Sequence, residues 1–219
     1  MSVLEKVRQR VVSSSHQLSL EEYLNDCKTT PEMYFNPYQR MMKAIGDPEI
    51  IDTSQDARLG RIFQNRKLKT WASFSNFYGA EDIIENIYRY YTAAAQGLEE
   101  SHQILYFLGP VGGGKSSLAD HLKVLFETQP VYILGIKNDE MDEGYELSPV
   151  WESPLWLFDM HNDGEEFESE YKVPRRYLRP PMSPWALKRL RDFGGDVTQF
   201  VVVKTHPSFL MQRCIMKTE

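Results

Sequence analysis

Eight consecutive residues of this chain have the types and spacing to hold a string of phosphates. Gly109, Pro110, Val111, Gly112, Gly113, Gly114, Lys115 and Ser116 match G-x-x-x-x-G-K-[ST] at every defined position. A triphosphate needs several donors converging on it, and backbone N–H groups converge closely only where side chains are absent. Gly112, Gly113 and Gly114 permit both the dihedrals and the approach. A helix starting near Lys115 would aim its unsatisfied N–H groups and positive dipole end at the anion. The Lys115 ammonium is expected to bridge the β- and γ-phosphate oxygens and the Ser116 hydroxyl to ligate Mg²⁺, with Ser117 beside them. The predicted chemistry is binding of ATP with Mg²⁺. By average residue usage such a match arises by chance on the order of once in a hundred chains of this length.

The elements that must position this loop are legible on either side. Ile104-Leu-Tyr-Phe-Leu108 is a run of five apolar residues that suits a strand covered on both faces, as in a parallel sheet. After the loop, Leu118, Ala119, Leu122, Leu125 and Phe126 form a helical face, and Val131–Leu134 reads as the next strand. Strand, glycine loop, helix and strand make a βαβ unit and predict an α/β fold with a parallel sheet flanked by helices. Upstream, Ile83, Ile84, Ile87, Tyr90, Tyr91 and Ala94 recur at helical spacing, with Gly97 ending the run. Residues 1–70 read as a small helical region. Val3, Leu4, Val7 and Val11 share a face, Ser19–Glu22 has capping-box form, and Thr30-Pro31 starts a helix that Gly46 closes. The remainder, 71–219, is the predicted nucleotide-binding domain. Within it, 139–170 carries twelve acidic residues with weak periodicity, so 138–172 reads as an irregular, solvated insertion. Ser183-Pro184 looks like another helix start, ending at Gly194-Gly195, and Phe200–Val203 is a last strand.

Composition narrows the function classes. A formal net charge of -6 argues against a dedicated nucleic-acid binder. The opening MSVLEKVRQRVV lacks a signal peptide's apolar core, and no apolar run approaches the ~20 residues of a membrane span. The expectation is a soluble, cytoplasmic protein. Cys27 and Cys214 are far apart and read as two reduced thiols. The histidines His16, His102, His121, His161 and His206 show no paired metal spacing. Trp151, Trp156 and Trp185 read as packing residues. Arg175, Arg176, Arg179, Lys188, Arg189 and Arg191 form a basic cluster. A solvated face balancing the acidic insertion is the favoured reading, against a contact for an acidic substrate.

Ala94–Glu100 together with Gln103–Leu118 closely resembles the PrkA family of bacterial serine protein kinases. Ala57–Phe63, Phe77–Gly79, Pro174–Leu178, Met182–Ala186 and Phe193–Asp196 extend the resemblance over essentially the whole chain. It is far more specific than the phosphate loop alone. The resemblance implies an AAA+ type ATPase module at the start of a longer protein, acting on a protein substrate and assembling as a homo-oligomeric ring. It implies that Phe77, Tyr78 and Gly79 line the adenine pocket. Set against the family the sequence stops early, before the acidic Walker B strand and later catalytic elements, so a truncated form or fragment with an incomplete sheet is expected. Leu155–Phe158 followed by Asp159 fits a Walker B pattern loosely, which makes Asp159 a second candidate metal ligand. Against it stand Met160, where an acid would follow, and Pro154 at the start of the run. A small-molecule kinase with a lid drawn from 175–191 is a competing reading, disfavoured by the long N-terminal region. A non-enzymatic, nucleotide-gated interaction module is another.

Overall fold

The computed structural model of the chain describes residues 16–55, 57–141, 144–178 and 182–207. In chain order the elements are β1 (His16–Ser19), α1 (Leu20–Thr29), α2 (Pro37–Ile45), β2 (Glu49–Asp52), α3 (Ala57–Phe63), β3 (Lys67–Thr70), α4 (Glu81–Ala95), α5 (Lys115–Glu127), β4 (Val131–Lys137), β5 (Tyr145–Leu147), α6 (Pro184–Asp192) and β6 (Phe200–Thr205). The chain divides into two compact units, one formed by Met1–Tyr34 with Pro130–Glu219 and the other by Phe35–Gln129. Residue 70, the expected domain boundary, falls inside the second. The helix expected from Val3 to Val11 lies outside the described residues, as do Asp142, Glu143, Arg179 and Cys214.

The first unit is built on a four-stranded sheet in the order β1-β6-β4-β5, with every pairing antiparallel. The expected parallel arrangement is not seen in this sheet. The apolar run Phe200–Val203 is buried at every position, with Phe200 and Val202 joining Leu134 and Ile136 on one face and Val201 and Val203 joining Ile133, Tyr145 and Leu147 on the other. Continuous hydrophobicity reports burial on both faces, which a parallel sheet usually has and which this antiparallel one also achieves. On the first face α1 contributes Leu20, Tyr23, Leu24 and Cys27. Its start is the capping box read from the sequence, with Ser19 Oγ accepting from Glu22 N and Glu22 Oε2 accepting from Ser19 N. Burial pushes the Cys27 thiol up to about 12, so it stays protonated near neutrality. Cys27 is expected to escape iodoacetamide in the native protein at pH 8 and to react after denaturation, read by peptide mass spectrometry.

The acidic stretch is more than a solvated insertion. Leu155, Leu157, Phe167 and Val173 are buried in the same core as α1. Residues Pro154–Leu157 form a 3₁₀ turn, not the strand that a Walker B element needs, because Ser153 caps the turn and Pro154 occupies its first position. Glu152 is 1% exposed. Its side chain accepts hydrogen bonds from Ser148 Oγ (2.7 Å), Ser183 Oγ (2.7 Å) and Ser183 N (3.2 Å). Ser183 in turn caps α6, its Oγ accepting from Ala186 N. One carboxyl group thus ties the helix start to the loop after β5.

In the second unit α2, α4 and α5 enclose a core of Met41, Ile45, Trp71, Phe74, Ile84, Ile87, Leu118 and Leu122. The helix expected from Thr30-Pro31 begins later. Pro31–Tyr34 is a 3₁₀ turn, and α2 starts after Asn36, whose side chain forms a capping box with Gln39. Gly46, at φ 81°, closes it as read. The antiparallel pair β2–β3, connected through α3, was not foreseen; both strands are four residues long and largely exposed, which leaves little apolar alternation to detect.

The run Ile104–Leu108 has the alternation of a strand without a partner. Leu105 and Phe107 pack on the core of this unit, whereas Ile104, Tyr106 and Leu108 are 90%, 76% and 83% exposed. Among the described residues no hydrogen bond engages their backbone. An unpaired apolar strand is an association hazard. The chain is therefore expected to self-associate as its concentration rises, and Tyr106→Lys with Leu108→Lys to reduce this, read by sedimentation velocity. A wild type that stays monomeric at high concentration would refute this.

Candidate functional site

The apolar run delivers the chain to the loop Gly109–Gly114, and α5 begins at once behind it. The backbone turns through positive φ at Gly112 (82°) and Gly114 (74°), conformations that any residue with a Cβ resists. Between them Gly113 N–H closes a turn onto the Pro110 carbonyl at 3.2 Å. A Cβ on Gly113 would also sit 3.2 Å from that oxygen. The N-cap of α5 is Gly114, and no side chain caps the helix. Its first-turn N–H groups therefore point from the helix mouth with the positive end of the dipole behind them. Gly112–Gly114, Ser116 and Ser117 are all exposed there. The helix is held in place from below, where Leu118 and Leu122 are buried in the core.

Lys115 folds back over the loop it follows. Its Nζ donates to the Gly109 carbonyl at 2.9 Å and to the Pro110 carbonyl at 2.5 Å. The structure thus brings together the glycines, Lys115 and Ser116 in one exposed, donor-rich turn. Such an arrangement can neutralise and orient an anion.

Phe77, Tyr78 and Gly79 belong to the same unit but divide their roles. Phe77 packs against the core with Phe74 and His121, while Tyr78 is 89% exposed. Gly79 turns at φ 77° and donates its N–H to Glu81 Oε1 at 3.1 Å. Asp159 lies in the other unit. Its Oδ1 accepts from His161 N and Asn162 N, and its own N–H donates to Asp163 Oδ2. These backbone donors, His161 first, hold its carboxyl below the usual range. Among the described residues no group of three or more His, Cys, Asp or Glu side chains is placed to hold a metal ion. Two members of the basic cluster pair with the acidic stretch. Arg175 pairs with Glu168 at 2.8 Å and Arg189 with Glu146 at 3.0 Å, while Arg176 lies over the Tyr177 ring. Trp185 packs on the core and donates to Glu146 Oε1.

Two residues of consequence escaped the sequence reading. Glu152 and His121 both act through partners distant in sequence, Ser183 and the Ser73 carbonyl. No spacing rule could have paired them.

The model of the PrkA AAA domain matches residues 18–219. A relative described as serine/threonine kinase YeaG from Escherichia coli strain K12 is 47% identical over 220 residues, covering 100% of this chain and 33% of that protein. ATP-dependent protease PrkA from Bacillus subtilis is 27% identical over 200 residues, covering 89% of this chain and 28% of that protein. The chain thus spans about a third of the length of the curated relatives it matches. No solved structure matches. No helix among the described residues is long and apolar enough to cross a membrane. By the extent of the family match and the quoted loop and helix sequences, this chain belongs to the PrkA AAA domain family.

Proposed function

We propose that this chain is the ATP-binding module of a PrkA-type protein and holds Mg-ATP in the loop Gly109–Ser116. The observation that carries this is the uncapped start of α5 behind glycines held at positive φ, a turn whose donors no side chain among the described residues consumes. The backbone N–H groups of Gly112 and of 114–117 would meet the phosphate oxygens. Lys115 would exchange the Gly109 and Pro110 carbonyls for β- and γ-phosphate oxygens. The exposed hydroxyl of Ser116 fits a Mg²⁺ ligand, and the ion would neutralise charge between those oxygens. Phe77, Tyr78 and Gly79 would form the wall against the adenine, with Tyr78 offering a free ring face. Asp159, with Oδ1 committed to two backbone donors, is left out of this reading. Ile104–Leu108 is read as the strand that leads into the phosphate loop of a parallel P-loop sheet.

In the complete protein, bound ATP would drive phosphorylation of a protein or an ATP-dependent action on one. The names of the relatives support both options. A ring of identical subunits in the cytoplasm is the setting this reading expects. The direct test is calorimetric titration of the chain with ATP in the presence of Mg²⁺. One site per chain is expected, and absence of heat at millimolar ATP would end the reading. Incubating the complete protein with labelled ATP and protein substrates separates the two outcomes. Label transfer identifies a kinase, and hydrolysis without transfer identifies an ATP-driven remodelling or proteolytic engine.

A further inference from the structure

Six residues beyond Lys115, roughly 9 Å along the same helix, His121 makes a contact that the phosphate loop does not need. Its Nε2 lies 2.7 Å from the Ser73 carbonyl oxygen. A carbonyl can only accept, so Nε2 carries the proton and the ring is fixed in orientation. The imidazole packs against both Phe74 and Phe77, with ring centroids 5.1 Å away in each case, and those two rings also touch each other at 5.9 Å. The far side of this contact is itself anchored. Ser73 Oγ donates to the Ile45 carbonyl at 2.7 Å, Phe74 is buried, and Phe77 N–H donates to the Phe74 carbonyl at 2.9 Å. His121 is therefore where the helix of the phosphate loop grips the segment that continues into Phe77-Tyr78-Gly79.

We propose that His121 is a positioning residue for the nucleoside end of ATP: it fixes the distance between the base wall at 77–79 and the phosphate loop. This rests on assigning Phe77–Gly79 to the adenine. One rigid helix carries the phosphate site at its mouth and, less than two turns on, the clamp on the base segment. Loosening the clamp leaves the loop intact and lets the wall drift. The loss then falls on ligands that carry a base and spares those that are phosphate alone.

The test compares ATP with inorganic tripolyphosphate, both with Mg²⁺, by calorimetry on wild type, His121→Ala and His121→Phe. His121→Phe keeps an aromatic ring in the slot and removes only the donor, so it reads out even where the alanine variant folds poorly. The hydrogen bond favours the clamped wall over a displaced one by about 1 kcal/mol, so its loss taxes ATP binding by up to that amount, and the alanine variant also loses the ring contacts. ATP affinity is expected to fall about fivefold in His121→Phe and about tenfold or more in His121→Ala. Tripolyphosphate affinity is expected to stay within about twofold, because its contacts lie at the helix mouth. Equal losses on both ligands, or undiminished ATP affinity, would overturn the proposal. Tyr78→Ala separates it from the assignment beneath it. If that variant binds ATP as wild type does, the base wall is misassigned and the role of His121 falls with it. If Tyr78→Ala weakens ATP while the His121 variants keep the wild-type ratio of the two ligands, the base wall stands and His121 alone is misread.

Discussion

Replacing Lys115 by alanine is expected to lower ATP affinity by at least a hundredfold while leaving the fold intact. Two charge-assisted contacts to phosphate oxygens contribute about 1.5–3 kcal/mol each, and about 1.4 kcal/mol is a factor of ten. In the protein without nucleotide the ammonium instead meets the carbonyls of Gly109 and Pro110, both on an exposed loop. Water can replace it at those oxygens, so the folded state loses little. The melting temperature of Lys115→Ala is therefore expected to match wild type without ATP, and the rise in melting temperature that ATP gives the wild type is expected to vanish. Lys115→Arg is not a rescue. Its planar fork is longer and stiffer than an ammonium and has to fit beneath a loop whose carbonyls already lie within 3 Å of Nζ. If Lys115→Ala retains ATP affinity within a few fold, the phosphates are held somewhere other than Gly109–Ser116.

The turn at 109–114 and the helix behind it were legible because their signal is local. Glycine at Gly112 and Gly114 announces positive φ, lysine and serine follow at fixed offsets, and α5 announces itself by Leu118 and Leu122. The capping boxes at Ser19 and Asn36 are equally local, yet the residues before Asn36 misled. Thr30-Pro31 also reads as a helix start, and only the four-residue 3₁₀ turn at Pro31–Tyr34 separates the two. Strand direction was not legible, because hydrophobic pattern reports which faces are buried and not which way a neighbour runs. Phe200–Val203 and Val131–Leu134 pair antiparallel with both faces covered, giving the same unbroken apolar runs as a parallel pair. The run Ile104–Leu108 carries the complementary lesson. Its pattern predicts a strand buried on both faces, yet only Leu105 and Phe107 find cover among the described residues. The acidic stretch hid its core residues because Leu155 and Leu157 enter the core from a 3₁₀ turn and Phe167 from a short π-helical segment, neither of which has the α-helical period to detect.

The largest stability effect is expected at Glu152. Three donors converge on its two carboxyl oxygens, and with Ser148 at 0% exposed and Glu152 at 1% no water can take their place. Truncation to alanine strands the hydroxyls of Ser148 and Ser183 and the Ser183 N–H, each costing about 1–3 kcal/mol when buried without a partner. Part of that is recovered where Ser183, half-buried at the start of α6, can turn its hydroxyl toward solvent. The net loss is expected to be about 3–5 kcal/mol, a large fraction of what a domain this size commands. Glutamine separates charge and hydrogen bonding from mere volume. Its carbonyl oxygen can accept from both hydroxyls, but its NH₂ then faces the Ser183 N–H, donor against donor, so about 1–2 kcal/mol should go. Urea unfolding followed by circular dichroism should therefore rank wild type above Glu152→Gln and Glu152→Gln above Glu152→Ala. Ser183→Ala should fall near the glutamine variant, because it removes one donor to Glu152 together with the N-cap that holds Ala186 N. Should Glu152→Ala unfold at the wild-type midpoint, α6 is held by its apolar contacts through Ala186 and Trp185 and by the bonds of Trp185 and Arg189 to Glu146. The convergence of donors on Glu152 would then contribute nothing to stability.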